Sequence, residues 1–454
     1  MSLLLDLGYL LGLVLASPWL AYRLFKHGGW THVPARFGAG LGEPLRGAIW
    51  LHGSSAGEVS LLKPLVARLE QDRPQTPLVI STYTTTGLEA ARKAYPRHRV
   101  ILFPLDFSVV VRRFLARFDP RLVVIVESEF WPNFLSSARR RGVPVAVLNG
   151  KVSEKSYRAY RRTGIVPRVL RSLRLIAVQS EEHAERLRRL GVPGERINVT
   201  GNMKYDLARA AAGDDERRAL RERLGYAAED VVVIGGSLHP GEPEALLDAF
   251  EACRADGRAA LVLVPRYPAD TAAVAAEAQA RGYAAVAKTR IDRGEAVPPG
   301  RGGVLIVDTI GELGKLYAAA DIAFVGGSLF FRGANKGGHN LMEPAILGVP
   351  VLFGPYNFSF KETVEDLLAR DAGILVRDAA ELERALRGLV ADERRRRSLG
   401  ERARRVVLDG QGATQRNYAL LDRIMDDVDD SRVSLQPQAV ERTMPRASGH
   451  LDSR

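Results

Sequence analysis

The most suggestive short segment of the chain is HGSSAGEV at residues 52–59, which joins a hydrophobic strand pattern to a helical one. Its glycines would let a ligand approach the backbone, and the amino terminus of the helix would keep a carboxylate ionised. Glu58 is therefore a candidate general base. The small residues Ser54, Ser55 and Gly57 belong to the same candidate site, on its acceptor or membrane side. The alternative is that Glu58 only caps the helix.

A second acidic segment, ESEFWPN at residues 127–133, follows a hydrophobic pattern that ends at Val126. Ligands of parallel α/β sheets bind beyond the carboxyl ends of the strands, which favours Glu127 as the functional acid. Pro132 suits the first turn of a helix, and Glu129 is placed to cap that helix. The sequence thus predicts a functional Glu127 and a structural Glu129.

The second half of the chain repeats this design in GGSLHPGE, residues 235–242. A Gly/Ser loop that leads into a helix offers backbone amides to a phosphate. Arg266, in PRYP at residues 265–268, adds a guanidinium for a phosphate or a carboxylate. Neither the dinucleotide fingerprint G-x-G-x-x-G nor a Walker motif occurs. These residues predict a phosphate site without a Rossmann dinucleotide.

The densest group of candidate residues combines VGGSL (325–329), NKGGHNLMEP (335–344) and VLFGP (351–355). Gly337 and Gly338 would let the backbone approach a phosphate, and Asn340 or His339 would cap the following helix. Glu343 lies one turn into that helix, on the side of Asn340, where acids of nucleotide-sugar transferases hold ribose hydroxyls. The alternative is a glycine-rich turn with a buried, capping Glu343.

Positive charge is concentrated in the first half of the chain. Residues 1–212 contain 32 Lys and Arg against 16 Asp and Glu, a net charge of +16, whereas the whole chain carries +12. The segment 157–174 has arginines and no acid, namely Arg158, Arg161, Arg162, Arg168, Arg171 and Arg174. Such a run is either a solvated surface or a site for lipid head groups or acceptor phosphates, and both interpretations stay open. Lys151, Arg158 and Arg161 are placed on this acceptor or membrane side.

The amino terminus is apolar over residues 3–24 except for Asp6, which is about the length of a bilayer-spanning helix. No positive charge precedes the apolar run, which argues against a cleavable signal peptide. Because basic residues follow it, the positive-inside rule leaves the body of the protein in the cytoplasm. We expect residues 1–26 to form a single membrane anchor. A helix in the membrane interface and a helix packed on the first domain are the alternatives.

Runs of Val, Ile and Leu alternate with helical stretches, a pattern typical of buried parallel strands with crossover helices. Predicted strands lie at 48–52, 78–82, 100–103, 122–127, 145–149 and 175–179, and then at 231–235, 260–265, 304–308, 322–326 and 351–354. The expected fold class is therefore α/β, with two Rossmann-like doubly wound domains facing each other across a cleft. The expected domains are 27–210 and 211–430, followed by a disordered tail at 431–454.

Nine segments between Trp50 and Glu362 resemble, in order and spacing, the bacterial 3-deoxy-D-manno-oct-2-ulosonic acid (Kdo) transferases. They are HGSSAGEV, ESEFWPN, LNGKVSEKSY, GNMKYD, GGSLHPGE, PRYP, DTIGELGKLYAAADIAFVGGS, GGHNLMEP and FGPYNFSFKE. The resemblance implies a GT-B glycosyltransferase that moves Kdo from CMP-Kdo to lipid IVA, with inversion at the anomeric carbon. It also implies a role in lipopolysaccharide synthesis, a place on the cytoplasmic side of the inner membrane and a mechanism without metal or cofactor.

The resemblance also implies residue roles. Glu58 matches the family's general base, and Glu127 matches a second essential acid near the acceptor. The positions that match the CMP-Kdo site are Ser237, His239, Arg266, Ser328, Gly337, Gly338, Asn340 and Glu343. Two departures from the family pattern lie on the donor side, where Tyr267 replaces the more frequent His and the loop 330–336 is longer than expected.

Two other functions compete with this interpretation. A GT-B transferase or epimerase that uses a UDP-sugar would share both sheets and the glycine-rich loop. A nucleic-acid-binding protein would explain the basic charge, but no basic motif with interleaved aromatic residues occurs, and we expect no nucleic-acid partner. Because Cys253 is the lone cysteine, no internal disulfide, zinc knuckle or iron–sulfur site is available, which indicates a reducing compartment. The sequence does not determine the oligomeric state.

Overall fold

A computed structural model describes residues 2–27, 32–208, 213–253, 257–333 and 336–433 of the chain. These residues form two compact units. The first unit comprises the described residues up to Gly201 together with those from Thr414 onward, and the second unit runs from Asn202 to Ala413.

The first unit is built on a parallel seven-stranded sheet in the order β3-β2-β1-β4-β5-β6-β7. The strands are β1 (Ile49–His52), β2 (Leu78–Thr82), β3 (Arg99–Leu102), β4 (Leu122–Val126), β5 (Val145–Gly150), β6 (Leu175–Val178) and β7 (Ile197–Val199). β1, β2 and β4 are buried along their whole length, as expected for strands covered by helices on both faces. The strand order reverses between β1 and β4, which is where doubly wound sheets bind ligands.

Helices connect and cover these strands. They are α1 (Ser2–His27), α2 (Val33–Arg36), α3 (Ala56–Asp72), α4 (Thr85–Ala94), α5 (Ser108–Phe118), α6 (Pro132–Arg140), α7 (Glu154–Thr163), α8 (Ile165–Leu170) and α9 (Glu181–Arg189). The core centres on Trp50 of β1, whose ring contacts the rings of Phe103, Phe114, Phe118 and Phe134 at centroid distances between 5.2 and 6.4 Å. This cluster packs β1 against α5 and α6 beneath the loop that follows the strand.

The second unit contains another parallel seven-stranded sheet, in the order β10-β11-β9-β8-β12-β13-β14. Its strands are β8 (Val231–Leu238), β9 (Ala259–Pro265), β10 (Ala285–Ala287), β11 (Val304–Ile306), β12 (Ile322–Val325), β13 (Val351–Phe353) and β14 (Ile374–Leu375). Its helices are α10 (Asp214–Arg223), α11 (Glu242–Glu251), α12 (Thr271–Ala280), α13 (Lys288–Asp292), α14 (Leu313–Leu316), α15 (Met342–Ile346), α16 (Lys361–Ala369), α17 (Ala379–Ala391) and α18 (Glu393–Gly410). Here the order reverses between β8 and β12.

The eleven strands expected from the sequence are all present, with ends shifted by up to three residues. The three strands that sequence patterns missed are β7, β10 and β14. All three are two or three residues long and lie toward or at an edge of a sheet, so they carry too few buried apolar positions to form a recognisable run.

The last helix, α19 (Ala413–Val433), packs on the first unit from Thr414 onward. The Tyr418 hydroxyl donates to Asp72 at 2.9 Å, and Arg73 forms ion pairs with Asp422 and Asp426 at 2.8 and 2.6 Å. This division differs from the expected second domain, 211–430, because these long-range polar contacts have no local signal. The expected junction residues 209–212 and the expected tail from residue 434 lie outside the described residues, while 431–433 end α19.

Helix α1 covers the segment expected to anchor the protein, residues 1–26. Among the described helices, none is both long and apolar enough to cross a membrane, so the spanning anchor is not confirmed. Asp6 lies within the expected span and accepts hydrogen bonds from the Ser108 backbone and the Asn133 amide, both at 2.9 Å. Tyr9 donates to Asp106 at 3.1 Å. These bonds attach the start of α1 to the first unit.

Candidate functional site

Glu58 lies in the first turn of α3, directly beyond the carboxyl end of β1. Its carboxylate accepts hydrogen bonds from the Ser54 N–H at 2.8 Å and from the Ser55 hydroxyl at 2.9 Å. Ser55 is the N-cap of α3, and its Oγ accepts from the Glu58 N–H at 3.4 Å. This arrangement resembles a capping box, so the capping contact expected as the alternative is present. The same contact fixes the direction of the Glu58 carboxylate.

Burial raises the pKa of Glu58 to about 7, and the charge of Glu127 contributes to the rise. The hydrogen bonds from Ser54 and Ser55 lower the pKa but do not offset the burial. The sequence predicted that the helix terminus would keep Glu58 ionised, and the structure corrects this because desolvation is the larger effect. A carboxylate with a pKa near neutrality is well matched to accept a proton in a reaction at neutral pH.

Glu127 follows β4 with a backbone φ of 65°. A residue other than glycine in this left-handed region is strained by about 1–3 kcal/mol, and such strain is concentrated at functional sites. The Glu127 carboxylate pairs with Lys151 Nζ at 3.1 Å, and its side chain is only 13% exposed. β4 and β5 are neighbours in the sheet, which explains why the residues after them meet. Lys151 thus joins the acidic cluster through its contact with Glu127.

Glu129 does not have the role predicted for it. The N-cap of α6 is Trp131, and no side chain caps that helix. Instead, burial raises the pKa of Glu129, a hydrogen bond with the Ser54 side chain opposes the rise, and the charge of Glu127 adds to it. Three carboxylates, those of Glu58, Glu127 and Glu129, therefore surround the loop at Ser54.

The arginine-rich segment carries exposed side chains on α7 and beyond. Arg158 forms an ion pair with Glu154 at 2.9 Å, and the Arg161 guanidinium lies 5.9 Å from the Tyr157 ring centroid. A Cβ added at Gly57, in the first turn of α3, would meet only the Ser55 hydroxyl, at 3.8 Å, beyond the backbone of its own helix. The structure neither brings the arginines into the acidic cluster nor pairs Arg161 with any carboxylate of the described chain.

In the second unit, the carboxylate of Glu242 joins the loops after β8 and β12, which are called the donor-side loops because the family resemblance predicts donor binding there. Glu242 is 1% exposed, and its Oε2 accepts from the backbone N–H groups of His239 at 2.9 Å and Gly327 at 2.7 Å. Its Oε1 accepts from the N–H groups of Ser328 at 2.9 Å and Leu329 at 3.0 Å. Of the amides in the Gly/Ser loop 235–242, that of His239 is thus bound by a carboxylate of the protein itself.

The glycine-rich loop at Gly337 and Gly338 packs closely against the segment after β13. A Cβ at Gly338 would lie 2.6 Å from Asn357 Oδ1, and a Cβ at Gly337 would overlap the Tyr356 carbonyl oxygen. Both residues have positive φ, 132° at Gly337 and 79° at Gly338. The glycines are therefore required by packing against the segment after β13, whereas the sequence predicted that they make room for a ligand phosphate.

Ser328 has no exposed surface. Its hydroxyl donates to the Val325 carbonyl at 2.6 Å and accepts from the Gly354 N–H at 2.9 Å. It therefore holds the loops after β12 and β13 together, and its hydrogen-bonding groups face the protein.

Two imidazoles meet beside these loops. His239 Nε2 and His339 Nε2 are 2.9 Å apart, and the rings are nearly parallel. A contact of this length between two ring nitrogens requires one proton between them. Burial lowers the pKa of His339 to about 4, and the charge of His239 contributes to the lowering. The pair therefore shares one hydrogen bond without carrying two positive charges.

Asn340 and Glu343 form the contact expected from their spacing. The Asn340 amide donates to Glu343 Oε1 at 3.1 Å, and its Oδ1 accepts from the Met342 N–H at 3.1 Å. Burial raises the pKa of Glu343. Glu343 lines a cavity of about 760 Å³ whose other walls include Gly311, Gly314, Lys315 and Arg223. The acid is thus buried at a cavity large enough for a nucleoside.

Arg266 follows β9, and its backbone N–H donates to the Leu238 carbonyl at 2.8 Å. Its guanidinium is exposed and lies 5.6 Å from the ring centroid of Tyr267. The Tyr267 ring approaches His239 edge-on at 5.8 Å. Ser237, at φ 56°, lies on the bulge that ends β8. Arg266 and Ser237 are therefore accessible to a ligand beside the loops that are bonded to Glu242.

Sequence reasoning missed Glu242 and the pairing of His239 with His339. The signal for Glu242 was present, since an acid in the first turn of a helix after GGSLHPG is placed to bond backbone amides. Its partners at 327–329 are 85 to 87 residues away, and no pattern in the sequence indicates them.

Comparison with known proteins gives three findings. Residues 31–207 match the family described as 3-deoxy-D-manno-octulosonic-acid transferase (kdotransferase). The chain is 34% identical to the 3-deoxy-D-manno-octulosonic acid transferase of Bordetella pertussis, over 89% of this chain and 95% of the relative, and 32% identical to that of Haemophilus influenzae, over 82% and 86%. A solved UDP-GlcNAc 2-epimerase from Neisseria meningitidis is 11% identical, with a TM-score of 0.54 over 84% of this chain and all of that chain. This last likeness shows a two-domain GT-B-like fold.

Proposed function

Because the chain belongs to the 3-deoxy-D-manno-octulosonic acid (Kdo) transferase family, we propose that it transfers Kdo from CMP-Kdo to lipid IVA with Glu58 as the general base. The observation that carries the residue assignment is the raised pKa of Glu58, about 7, together with the two hydrogen bonds that aim its carboxylate. A base near neutral pKa gains a proton from a sugar hydroxyl at the moment the hydroxyl attacks.

In the proposed step, an acceptor hydroxyl oxygen forms a bond to carbon 2 of Kdo on the face opposite the CMP phosphate. The bond between carbon 2 and the phosphate oxygen breaks, and its electron pair leaves with CMP. The hydroxyl proton passes to Glu58. Attack from the opposite face inverts the anomeric carbon.

Glu127 and Lys151 support this assignment in two ways. The negative charge of Glu127 raises the pKa of Glu58 and so makes Glu58 the stronger base that the proposed step needs. The Lys151 ammonium, 3.1 Å from Glu127, offers a positive group for a polar or phosphorylated acceptor. We propose that Glu127 positions the acceptor and does not take the proton.

For the donor, the proposal places the ribose of CMP against Glu343 and the phosphate near Arg266. Glu343 is buried at a cavity and held by Asn340, which suits a carboxylate that accepts hydrogen bonds from two hydroxyls. Because Glu242 occupies the nearby amides, side-chain cations and not those amides must balance the negative charge of the phosphate.

We further propose that the enzyme works at the cytoplasmic side of the inner membrane, where a lipid acceptor would be presented. The support is the exposed apolar surface of α1, which includes Leu7, Leu11 and Val14, and the exposed Arg161 and Arg162 in the same unit. An apolar helix surface with basic residues suits a membrane interface.

The proposal is tested by incubating the purified full-length protein with CMP-Kdo and lipid IVA and weighing the product. Addition of Kdo to lipid IVA is expected. The Glu58→Gln variant should keep its fold and its affinity for CMP while turnover falls by roughly 10²- to 10⁴-fold. Near-normal turnover by this variant would refute the base assignment. Transfer from a UDP-sugar in place of CMP-Kdo would refute the proposed donor.

A further inference from the structure

The buried charge of Glu242 means that an anion can bind at the donor-side loops only if cations lie nearby. Its buried carboxylate already accepts N–H bonds from His239, Gly327, Ser328 and Leu329, so the loops present a bound negative charge. A second anion beside it would be repelled unless cations compensate. The proposed donor, CMP-Kdo, carries two anionic groups, its phosphodiester and the carboxylate of the sugar.

Two guanidiniums are available at this place, those of Arg266 and Arg332. Both are exposed, and neither forms an ion pair with any carboxylate of the described chain. Both lie close enough to His239 and His339 to lower the pKa of each imidazole by their charge. The acids that face His239 are Glu242, which is occupied by amides, and Asp270. The two guanidiniums are therefore cations that can compensate the charge of an anion bound beside the histidine pair.

Two aromatic residues directly precede Arg332 in its loop, and each contacts a neighbouring segment. Phe330 lies against Gly241 at the start of α11, where an added Cβ would come within 3.0 Å of the Phe330 ring. The Phe331 ring is 5.5 Å from the ring of Tyr356, which follows β13. The loop is thus attached through the two residues directly before Arg332, at the start of α11 and beside the segment after β13, and the charge of Arg332 acts on the histidine pair.

We propose that Arg332 binds the sugar carboxylate of the donor, while Arg266 serves the phosphodiester. A planar guanidinium matches a carboxylate with two parallel hydrogen bonds, which makes it suited to distinguish a keto-acid sugar from a neutral one. Arg266 is fixed at the end of β9 by its backbone bond to Leu238, whereas Arg332 is on a separate loop. With one arginine for each anionic group, Arg332 would select donors whose sugar carries a carboxylate. This inference rests on the proposed function.

The test uses the full-length protein and the variants Arg332→Gln and Arg332→Lys, with Arg387→Gln as a matched control, since Arg387 is an exposed arginine on α17. The KM for CMP-Kdo and the affinity for CMP are measured for each. We expect the KM of Arg332→Gln to rise roughly 10- to 100-fold, with a smaller rise for Lys and unchanged CMP affinity. Unfolding temperatures should be unchanged because the side chain is exposed.

An equal weakening of CMP and CMP-Kdo would overturn the carboxylate assignment and give Arg332 to the phosphate. An unchanged KM would overturn it as well. Failure of the unaltered protein to use CMP-Kdo would instead reject the proposed donor, so the two failures are distinguishable.

Discussion

The carboxylate of Glu242 accepts a 2.7 Å hydrogen bond from the backbone N–H of Gly327, although 85 residues separate the two in the chain. Glu242 follows β8 and Gly327 follows β12, the two strands between which the order of the second sheet reverses. One buried side chain therefore joins both loops at the position where doubly wound sheets bind their ligands.

Replacing Glu242 by Gln should loosen the donor loops. The NH₂ group of Gln would face two of the backbone N–H groups that now donate hydrogen bonds to the carboxylate, and two donors cannot bond to each other. Each buried N–H left without an acceptor costs about 1–3 kcal/mol. We expect a lower unfolding temperature and a KM for CMP-Kdo raised roughly ten-fold, measured by calorimetry and initial rates. Glu244→Gln, at an exposed position of the same helix, is the control. Equal behaviour of the two variants would show that the Glu242 bonds do not position the donor.

The rate should depend on pH through Glu58. Its pKa is raised to about 7, and a general base acts only when ionised, so kcat/KM should fall as pH decreases through about 7. The measurement is a pH profile of kcat/KM with saturating acceptor. A profile that stays flat down to pH 5 would mean that the group accepting the proton has an ordinary carboxylate pKa.

Replacing Glu127 by Gln should shift the acidic limb of the pH profile, which is the part where kcat/KM falls as pH decreases. The charge of Glu127 helps to raise the pKa of Glu58, so its removal makes Glu58 easier to ionise, and the limb should shift to lower pH. The residual activity of Glu127→Gln is compared with that of Glu89→Gln, which removes an exposed carboxylate on α4. If the limb does not shift in either variant, Glu58 and Glu127 are not electrostatically coupled in the working enzyme.

Helix α1 should contribute to membrane attachment. Leu11 and Val14 are 62% and 61% exposed, so a double replacement by Ser removes apolar surface without opening a core. Binding to vesicles that contain anionic lipid should weaken at least about ten-fold, as measured by co-sedimentation. Val297 and Ile310, which are 81% and 77% exposed in the second unit, provide the matched double replacement. Unchanged binding of the α1 variant would exclude this surface as the attachment site.

Much of the candidate site follows from local patterns. The loops at 52–59 and 127–133 were predicted from the hydrophobic strands before them, and β1 and β4 do flank the reversal of strand order in the first sheet. The contact between Asn340 and Glu343 joins residues three positions apart at the start of α15. These features could be predicted because each depends on residues a few positions apart.

Other features depend on residues that only the fold brings together. The pKa of Glu58 is set by burial and by Glu127, so the prediction from the helix terminus gave the wrong direction. The glycines at 337 and 338 face Tyr356 and Asn357, and the histidines at 239 and 339 meet across 100 residues. The helix α19 belongs with the first unit through bonds such as that from Tyr418 to Asp72, 346 residues apart.

The sequence by itself determined the two parallel sheets, the acids at their carboxyl ends and the family. These depend on hydrophobic periodicity and on short motifs, which are properties of neighbouring residues. The tertiary structure decided which backbone amides are already occupied by Glu242, which carboxylate has a raised pKa and which arginines remain without an acidic partner among the described residues. Desolvation and long-range hydrogen bonds control these properties, and both depend on distances that the order of residues does not contain.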